Sequence, residues 1–374
     1  MKNISTSSNH NTLLGFPVIE KLEESEQRLV ARCSYKNNDT AIVKVLKSDY
    51  LSSVEKARLN NEYKILQSIN VSGIIKVYEI IESKSDFGLI LEDFNGVSLK
   101  KYIISNKINI DLFLDISLTL SHIIGDLHNN NIIHGDIKPS NIIINPDTKE
   151  IKLIDFGASR NVKNQDEIDT KELIHGTLVY MSPEQTGRMN RRIDYRTDIY
   201  SLGISFYEIL TGTVPFISDD PLDILHGHIA KTPIPPNNYD DSVPDIISKI
   251  ILKLLSKQPE DRYQNCYTLS NDLLKFRNLL EKSSIEEPRF KIAEKDYPIT
   301  LQIPQKLYGR EKELQKLKVE YEKVENGNRS LVIITGPTGI GKTSLMNEFY
   351  KYIITKQGHC SFANNEKLSQ NQPY

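Results

Sequence analysis

An acid, a cation and two metal-binding side chains lie close together in the middle of the sequence. They are Asp136, Lys138 and Asn141 in the stretch His-Gly-Asp-Ile-Lys-Pro-Ser-Asn, and Asp155 in Asp-Phe-Gly. Phosphoryl transfer needs positioning and charge neutralisation around the γ-phosphate, with little covalent help from the protein. We therefore expect Asp136 to orient an attacking hydroxyl and Lys138 to meet developing negative charge. Asn141 and Asp155 carry oxygen atoms, and we expect them to hold Mg²⁺.

The spacing of these two motifs makes them more informative together than either one is alone. A single His-x-Asp or Asp-Phe-Gly is common and indicates little. Here residues 142–153 separate the two motifs, and this interval has a hairpin-like pattern. The complete arrangement is a strong indication of a phosphoryl-transfer site.

Together the two motifs resemble the catalytic and metal-binding segments of eukaryotic-type serine/threonine protein kinases. The resemblance covers roughly residues 14–280. It implies an α+β bilobal protein-kinase fold, with a small β-rich N-lobe and a large helical C-lobe. The apolar pattern has the same layout, because strand-like runs dominate the first part and helical patterns dominate after residue 99. We predict strands at 41–46, 74–81 and 87–91, and helices at 53–69, 110–129, 197–210 and 243–255.

The resemblance implies functions for further residues of the N-lobe and of the hinge between the lobes. Lys44 would contact the α- and β-phosphates of ATP, and Glu62 on the following helix would fix this lysine in an ion pair. Other side chains would enclose the adenine base, which would meet the backbone of the hinge. The residues expected there are Val30, Ile42, Leu91, Glu92, Phe94 and Ile143.

The resemblance also assigns residues that follow the metal-binding motif. Thr177 would lie beside the catalytic aspartate and lysine, and with Lys138 it indicates serine or threonine substrates rather than tyrosine. Glu184 is expected to form a buried ion pair with Arg262, and Asp198 to anchor the backbone of the catalytic loop. Losing one partner of such a buried pair typically costs about 3–5 kcal/mol.

The loop that covers the phosphates departs from the family pattern. Kinases place glycines there so that backbone N–H groups can approach the phosphate oxygens. In this sequence Glu23, Ser25 and Arg28 occupy the glycine positions, and only the valine of the motif is retained, as Val30. Carboxylates near a triphosphate are electrostatically adverse unless they point outward. A pseudokinase scaffold with weak or no turnover is therefore an alternative.

Two other positions depart from the family pattern as well. Ile42 replaces the small residue usually found above the adenine. Gly135 stands where many kinases carry an arginine that binds a phosphorylated activation loop. Phosphorylation of that loop is therefore a less expected switch in this chain.

A second nucleotide site is predicted near the C-terminus. A buried-strand pattern at 331–335 leads into Gly-Pro-Thr-Gly-Ile-Gly-Lys-Thr and then into an amphipathic helix, which is the context of a P-loop. Backbone N–H groups would hold phosphates at the N-terminus of the helix, while Lys342 would reach the β- and γ-phosphates and Thr343 would bind Mg²⁺. The residues expected to bind nucleotide are Gly336, Gly339, Gly341, Lys342 and Thr343.

The order of a kinase, the stretch Leu-Tyr-Gly-Arg-Glu and a P-loop is similar to large signalling proteins. Those proteins join a Ser/Thr kinase domain, an AAA-type ATPase module and a sensor histidine kinase, so the resemblance implies further C-terminal signalling domains. We predict a disordered tail at 1–11, a protein kinase domain at 12–280, a flexible linker at 281–306 and the truncated N-terminal part of an AAA-type P-loop ATPase domain at 307–374. A second alternative makes the kinase lobe a regulatory arm of this ATPase.

Composition limits the remaining classes of function. A net charge of −2 gives no support for nucleic-acid binding. No apolar stretch is long enough to predict a transmembrane helix, and the N-terminus lacks the apolar segment of a secretory signal. Cys33, Cys266 and Cys360 show no disulfide or metal-binding spacing. We expect a cytoplasmic protein that uses ATP, Mg²⁺ and a protein substrate.

Overall fold

The computed structural model describes residues 12–36, 39–47, 52–82, 87–162, 178–189, 191–281, 290–298, 309–337 and 339–356. The first part of the chain is rich in strands and the following part is mainly helical. The predicted layout, a small β-rich N-lobe followed by a larger helical C-lobe, is confirmed.

The N-lobe is built on one antiparallel sheet of six strands, ordered β1-β2-β3-β4-β6-β5. The strands are β1 (Thr12–Leu13), β2 (Phe16–Glu24), β3 (Arg28–Ser34), β4 (Thr40–Leu46), β5 (Val77–Glu82) and β6 (Phe87–Glu92). Helix α1 (Ser53–Ser68) crosses between β4 and β5 and agrees with the helix predicted at 53–69. It begins where the hydroxyl of Ser52 accepts a hydrogen bond from the backbone N–H of Glu55, so the serine caps an otherwise unpaired donor.

The alternation of side chains along β4 decides which residue faces the helix. Val43 and Val45 are buried with Ala31 and Cys33 in a small core on one face of the sheet. Because successive side chains of a strand point to opposite faces, Lys44 lies on the other face. That face is the side of the sheet on which α1 packs, as the contact of Lys44 with this helix shows.

The C-lobe is organised around two long helices. Its helices are α2 (Leu99–Ser105), α3 (Ile110–Asn129), α4 (Arg196–Thr211), α5 (Pro221–Ile229), α6 (Asp245–Leu254) and α7 (Cys266–Glu281). The predicted helices at 110–129, 197–210 and 243–255 are thus confirmed to within a few residues. The rings of Phe113 on α3 and Phe206 on α4 meet edge to face at 5.5 Å, and both are fully buried. Burying such a side chain contributes about 1.5–3 kcal/mol.

Short strands place the catalytic segments at the cleft between the lobes. Strands β7 (Val97–Ser98), β9 (Ile142–Ile144) and β10 (Ile151–Leu153) form one small sheet, and β8 (Ile132–Ile133) pairs with β11 (Arg160–Asn161). The predicted hairpin between the two motifs is confirmed as β9 and β10. Its open end is closed by a hydrogen bond from the backbone N–H of Ile154 to the carbonyl of Asn141, at 2.9 Å. Asn141 and Asp155 therefore emerge side by side.

The segment 290–298 packs against the C-lobe, which differs from the flexible linker expected over 281–306. Phe290, Ile292 and Ala293 are partly buried against the main hydrophobic core. The segment is charged and weakly periodic, so its few apolar residues gave no recognisable pattern. They are nevertheless enough to dock it.

Polar contacts fix the same segment to α7 and to the loop before it. The backbone N–H of Ala293 donates to Oδ2 of Asp272 at 2.6 Å, and the same oxygen accepts from the hydroxyl of Tyr263 at 2.8 Å. Oδ2 of Asp296 accepts from the backbone N–H of Gln264, also at 2.8 Å. Buried acceptors that are satisfied in this way hold a segment in one register.

The C-terminal part contains helices α8 (Glu311–Glu325) and α9 (Lys342–Thr355). The buried strand expected at 331–335 is wrong for this structure, because these residues pair with no strand among those described and Leu331 is 86% exposed. A strand exists only through hydrogen bonds to a neighbouring strand. Among the residues described, no helix has both the length and the apolar character required to cross a membrane.

Candidate active site

Lys44 joins the two lobes through two carboxylates. Its Nζ lies 2.7 Å from Oε2 of Glu62 on α1 and 2.9 Å from Oδ1 of Asp155. The lysine and Glu62 are both buried. The ion pair implied by the resemblance is therefore formed, and it holds α1 against the sheet.

Opposite charges at short distance keep Lys44 and Asp155 ionised. Burial by itself would lower the pKa of Lys44, but the carboxylates of Asp155 and Glu62 raise it overall. Burial would likewise raise the pKa of Asp155, whereas the charges of Lys44 and Arg28 lower it well below its usual range. Lysine and aspartate are thus both charged near neutral pH, as phosphate and metal binding require.

The backbone of Asp155 adopts a left-handed conformation, with φ 66° and ψ 73°. This conformation is uncommon outside glycine and typically costs about 1 kcal/mol or more. The next residue compensates, because Phe156 is fully buried and its ring meets that of His134 at 4.8 Å. The buried ring thereby fixes the direction in which the Asp155 carboxylate points.

The catalytic loop brings together three of the predicted residues. Nζ of Lys138 lies 2.7 Å from Oδ2 of Asp136. The side-chain Nδ2 of Asn141 donates both to Oδ2 and to the backbone carbonyl of Asp136, at 2.9 Å each. The carboxylate of Asp136 therefore has a fixed position, and it can accept a further hydrogen bond from a substrate hydroxyl.

Asp198 on α4 anchors this loop, as expected. Its carboxylate accepts hydrogen bonds from the backbone N–H groups of His134 and Gly135, both at 2.8 Å, and contacts Nε2 of His128 at 2.9 Å. Burial would raise the pKa of Asp198, but these hydrogen bonds and nearby histidines lower it overall. A buried anion thus holds the backbone that carries Asp136.

The backbone conformation at position 135 explains why a glycine occurs there. Its φ is +80°, and a Cβ atom there would lie 3.0 Å from the carbonyl oxygen of Ala158. A side chain would therefore be strained as well as crowded. An arginine at this position would have to adopt this strained conformation and displace the Ala158 carbonyl.

The predicted ion pair between Glu184 and Arg262 is confirmed. The two side chains form a bidentate pair, with distances of 2.6 and 2.8 Å, and the hydroxyl of Thr197 donates to the same carboxylate at 2.9 Å. Both charged groups are buried. Gln185, next in sequence, donates from Nε2 to the carbonyl of Gly135 at 2.9 Å, which connects this scaffold to the catalytic loop.

The loop above the phosphate end forms a tight turn that is bonded to itself. The backbone N–H of Ser25 donates to the carbonyl of Arg28 at 2.9 Å, and the backbone N–H of Arg28 donates to the hydroxyl of Ser25 at 3.1 Å. Glu23 is exposed and lies 3.6 Å from the guanidinium of Arg28. Glu24 pairs with Lys21 and Lys47. These two carboxylates are thus paired with cations, which reduces the repulsion expected for ATP.

The residues expected around adenine lie on the N-lobe sheet and on β9. In the sheet, Ile42 is directly opposite Leu91, and Val30 is opposite Lys44. Ile143 lies on β9, in the small sheet of β7, β9 and β10. The adenine pocket stays a prediction, and none of these four apolar residues lines the cavity described below.

Lys152 on β10 contacts the hinge residues Glu92 and Phe94, and sequence reasoning missed it. Its Nζ lies 2.5 Å from Oε1 of Glu92 and 5.0 Å from the centre of the Phe94 ring. It also lies opposite Ile143 in the β9–β10 register. A lysine on a short hairpin strand gives no recognisable sequence signal for these contacts. Thr177, the last of the predicted catalytic residues, lies outside the described residues.

A cavity of about 550 Å³ opens between the lobes at the phosphate end of the cleft. Five of the predicted residues line it, namely Lys44, Glu62, Asp136, Lys138 and Asp155. Arginines that sequence reasoning did not assign line it as well, namely Arg28, Arg58 and Arg160. With Lys44 and Lys138 the lining has five cationic side chains against four carboxylates, which are those of Glu55, Glu62, Asp136 and Asp155.

The donor atoms fit a magnesium ion that arrives with a nucleotide. Mg²⁺ prefers oxygen ligands and is usually held by one or two carboxylates together with phosphates, rather than by an all-protein cage. Asn141 and Asp155 provide an amide oxygen and a carboxylate at the same end of the hairpin. Within the described ranges, no cluster of three or more His, Cys, Asp or Glu residues could hold a metal alone.

The P-loop has the expected turn at the start of α9. Gly339 and Gly341 have φ values of +85° and +95°, which favour glycine. Nζ of Lys342 donates to the carbonyls of Gly336 and Pro337, both at 2.8 Å. Thr343 follows in the first turn of the helix. The lysine thus folds over the loop in which phosphates would bind.

Comparison with known proteins agrees with this geometry. Residues 20–274 match the protein kinase domain family, and residues 306–374 match the AAA ATPase domain family. A probable serine/threonine-protein kinase of Clostridium acetobutylicum is 34% identical over 251 residues, which cover 65% of this chain and 38% of that protein. The serine/threonine-protein kinase PknB of Mycobacterium leprae is 32% identical over 62% of this chain and 38% of its own length.

A eukaryotic relative matches as well. Hybrid signal transduction histidine kinase G of Dictyostelium discoideum is 31% identical over 69% of this chain but only 10% of its own length. The chain therefore spans well under half the length of these relatives. The kinase match covers more than half of this chain and coincides with the lobes and the cleft described above. The chain belongs to the protein kinase family, and the residues after its kinase domain match part of the AAA ATPase domain family.

Proposed function

We propose that the kinase domain transfers the γ-phosphoryl group of ATP to a serine or threonine hydroxyl of a protein, with Mg²⁺ as the metal. The observation that carries this proposal is the convergence of Lys44, Asp136, Lys138 and Asp155 on one cavity, with Lys44 paired to Glu62. A structural scaffold has no physical need for this complete set. Serine/threonine specificity is supported by the similar bacterial proteins, which are a probable serine/threonine-protein kinase and the serine/threonine-protein kinase PknB.

Each of the cleft residues has its own function in the proposed reaction. Asp136 accepts the hydrogen bond of the attacking hydroxyl and takes up its proton as the oxygen bonds to phosphorus, while the bond from phosphorus to the ADP oxygen breaks. Lys138 lies 2.7 Å from Asp136, where it can neutralise charge on the transferring group. Lys44 orients the phosphates. Asn141 and Asp155 would hold Mg²⁺, and the bound metal would neutralise charge on the phosphate oxygens.

A pseudokinase remains a second candidate because of one observation. The N–H groups of Ser25 and Arg28 donate within their own turn and so are not directed at a ligand. In a kinase these backbone donors help to hold the phosphates. A platform that binds nucleotide weakly and does not turn it over would have the same turn.

We further propose that the P-loop residues Gly336, Gly339, Gly341, Lys342 and Thr343 bind a second ATP with Mg²⁺. The kinase unit is proposed to begin near residue 12 and to extend to residue 298, because 290–298 docks on it. A cytoplasmic location is part of the same proposal and is supported by the free thiols of Cys33 and Cys266.

Phosphoamino-acid analysis tests the assigned reaction. The full chain is incubated with γ-labelled ATP and Mg²⁺ in the presence of general protein substrates, and labelled protein is hydrolysed. We expect phosphoserine or phosphothreonine, and loss of label when EDTA removes the metal. Label on tyrosine alone would overturn the substrate class, and no label on any substrate or on the chain itself would favour the pseudokinase.

A further inference from the structure

We propose that Arg28 binds the triphosphate of the nucleotide through its side chain, in place of the backbone N–H groups that a glycine loop would supply. This inference rests on the function proposed above, and it adds a residue that positions the nucleotide. Arg28 stands at the start of β3, at the third glycine position of the covering loop.

The turn itself explains why a side chain is needed. The backbone N–H groups of Ser25 and Arg28 are bonded to Arg28 and Ser25, respectively, and the hydroxyl of Ser25 also donates to the carbonyl of Arg28 at 3.2 Å. Three hydrogen-bond donors of the turn are therefore used internally. Breaking these bonds to reach a phosphate would leave their partners without donors.

The guanidinium of Arg28 reaches the phosphate end of the cleft. Its Nη1 lies 3.4 Å from Oδ2 of Asp155, while Nζ of Lys44 lies 2.9 Å from Oδ1 of the same carboxylate. Arg28 and Lys44 thus face each other across one anion, and both line the cavity. The Arg28 side chain is 38% exposed, so it can move within the cleft without breaking a packed core.

A change of partner is expected when nucleotide and metal bind. Oδ2 of Asp155 belongs to the carboxylate expected to ligate Mg²⁺, and a cation that contacts this oxygen competes with the metal. The phosphates supply new acceptors in the same cavity. A planar guanidinium can donate two parallel hydrogen bonds to a phosphate, and such charge-assisted bonds are stronger than neutral ones.

An alternative function for Arg28 is to keep Asp155 from binding the metal, and it predicts the opposite change in affinity. If Arg28 served only to block Asp155 from the metal, then removing its charge would strengthen the binding of Mg²⁺ and ATP. Its position on the covering loop and its place in the cavity favour phosphate binding. Measured affinities separate the two.

The experiment is calorimetric titration of the full chain that carries Lys342→Ala, which removes the predicted P-loop lysine. ATP and adenosine are titrated in Mg²⁺ into this parent and into the same chain with Arg28→Gln or Arg28→Lys. Arg277→Gln is the matched control, since Arg277 does not line the cavity and pairs with Asp115 on the C-lobe at 2.6 Å. Adding Asp155→Asn identifies the part of the signal that belongs to the kinase cleft.

We expect Arg28→Gln to weaken ATP binding about tenfold or more, as loss of a charge-assisted hydrogen bond predicts. Adenosine, which lacks phosphates, should bind equally to all variants. Arg28→Lys should retain part of the affinity, and Arg277→Gln should stay within about twofold of the parent, because its exposed pair lies outside the cavity. Unchanged or tighter ATP binding by Arg28→Gln would overturn this inference alone. A parent without ATP binding in the cleft would overturn the proposed function as well.

Discussion

Nζ of Lys44 and Oε2 of Glu62 lie 2.7 Å apart, and this contact connects the central sheet of the N-lobe to helix α1. Glu62 is only 1% exposed, and its second oxygen, Oε1, has no hydrogen-bond partner among the described residues. The carboxylate therefore depends strongly on the lysine. One ion pair both positions the phosphate-binding lysine and holds the helix.

Replacing Lys44 with methionine should abolish phosphoryl transfer and also destabilise the domain. Transfer should fall by at least about a hundredfold, because the phosphates lose the positive charge of the lysine that would orient them. Stability should fall by about 3–5 kcal/mol, since Glu62 is left as a buried, unpaired anion. Labelled-phosphate transfer and urea denaturation measure the two effects.

A double variant distinguishes the structural effect from the catalytic one. Lys44→Met with Glu62→Leu should regain most of the stability but none of the transfer. Lys47→Met is the control, because its pair with Glu24 is exposed and should contribute less than about 1 kcal/mol. If Lys44→Met alone were as stable as the parent, the buried pair would not be the clamp described here.

The pair of Glu184 and Arg262 should make stability depend on pH. Burial would raise the pKa of Glu184, but the ion pair and hydrogen bonds lower it overall from 4.5. A lowered folded-state pKa means that the stabilisation is complete above pH 4.5 and is lost as pH falls through the folded value. Glu184→Gln should cost about 3–5 kcal/mol at neutral pH. The difference in unfolding free energy between Glu184→Gln and the parent should become smaller below about pH 4.5.

Urea denaturation at several pH values measures this difference. Asp245→Asn is the control, because its pair with Lys249 is exposed and should contribute little at any pH. A constant difference between Glu184→Gln and the parent from pH 7 downwards would contradict the lowered pKa.

How much the sequence predicts depends on how local the signal is. Asp136, Lys138 and Asn141 share one short loop, and the hairpin that follows brings Asp155 beside them. The spacing of a local motif therefore carries most of the geometry. The contact of Arg28 with Asp155 joins residues that are distant in sequence, and it depends on how the two lobes close. No periodic pattern or motif records it.

The docked segment after α7 shows the same limit. Charge and proline content favoured a linker at 281–306, yet Phe290 and Asp296 find partners on the C-lobe. Single contacts of this kind have no period and so leave no pattern. The run at 331–335 shows the converse, since an apolar pattern predicts a strand but cannot provide its neighbour.

Removing the contacts of the docked segment should destabilise the kinase domain. Phe290→Ala combined with Asp296→Ala removes a partly buried ring and the acceptor for the backbone N–H of Gln264. We expect a loss of about 2–3 kcal/mol in urea denaturation. Lys291→Ala, at an exposed neighbouring position, should have no measurable effect. Equal stability of all three proteins would show that the segment acts only as a tether.

The two nucleotide sites should be separable. Lys342→Ala should weaken ATP binding at the P-loop, because the lysine would contact the β- and γ-phosphates. It should leave transfer through Asp136 within a few-fold of the parent, since none of the described contacts joins Lys342 to the kinase cleft. Transfer rates of the full chain with and without Lys342→Ala decide this. A larger change would mean that the modules communicate.

The most direct test of the account is the transfer of γ-labelled phosphate by the full chain with Asp136→Asn, measured beside ATP binding by calorimetry. Asp136 has a fixed position between Lys138 and Asn141 but is not expected to contact the nucleotide base. We predict that transfer falls by about a hundredfold or more, that ATP affinity stays within a few-fold, and that Asp147→Asn at the exposed hairpin tip changes neither. Equal transfer by Asp136→Asn and the parent would contradict the assignment of this cleft as a kinase active site.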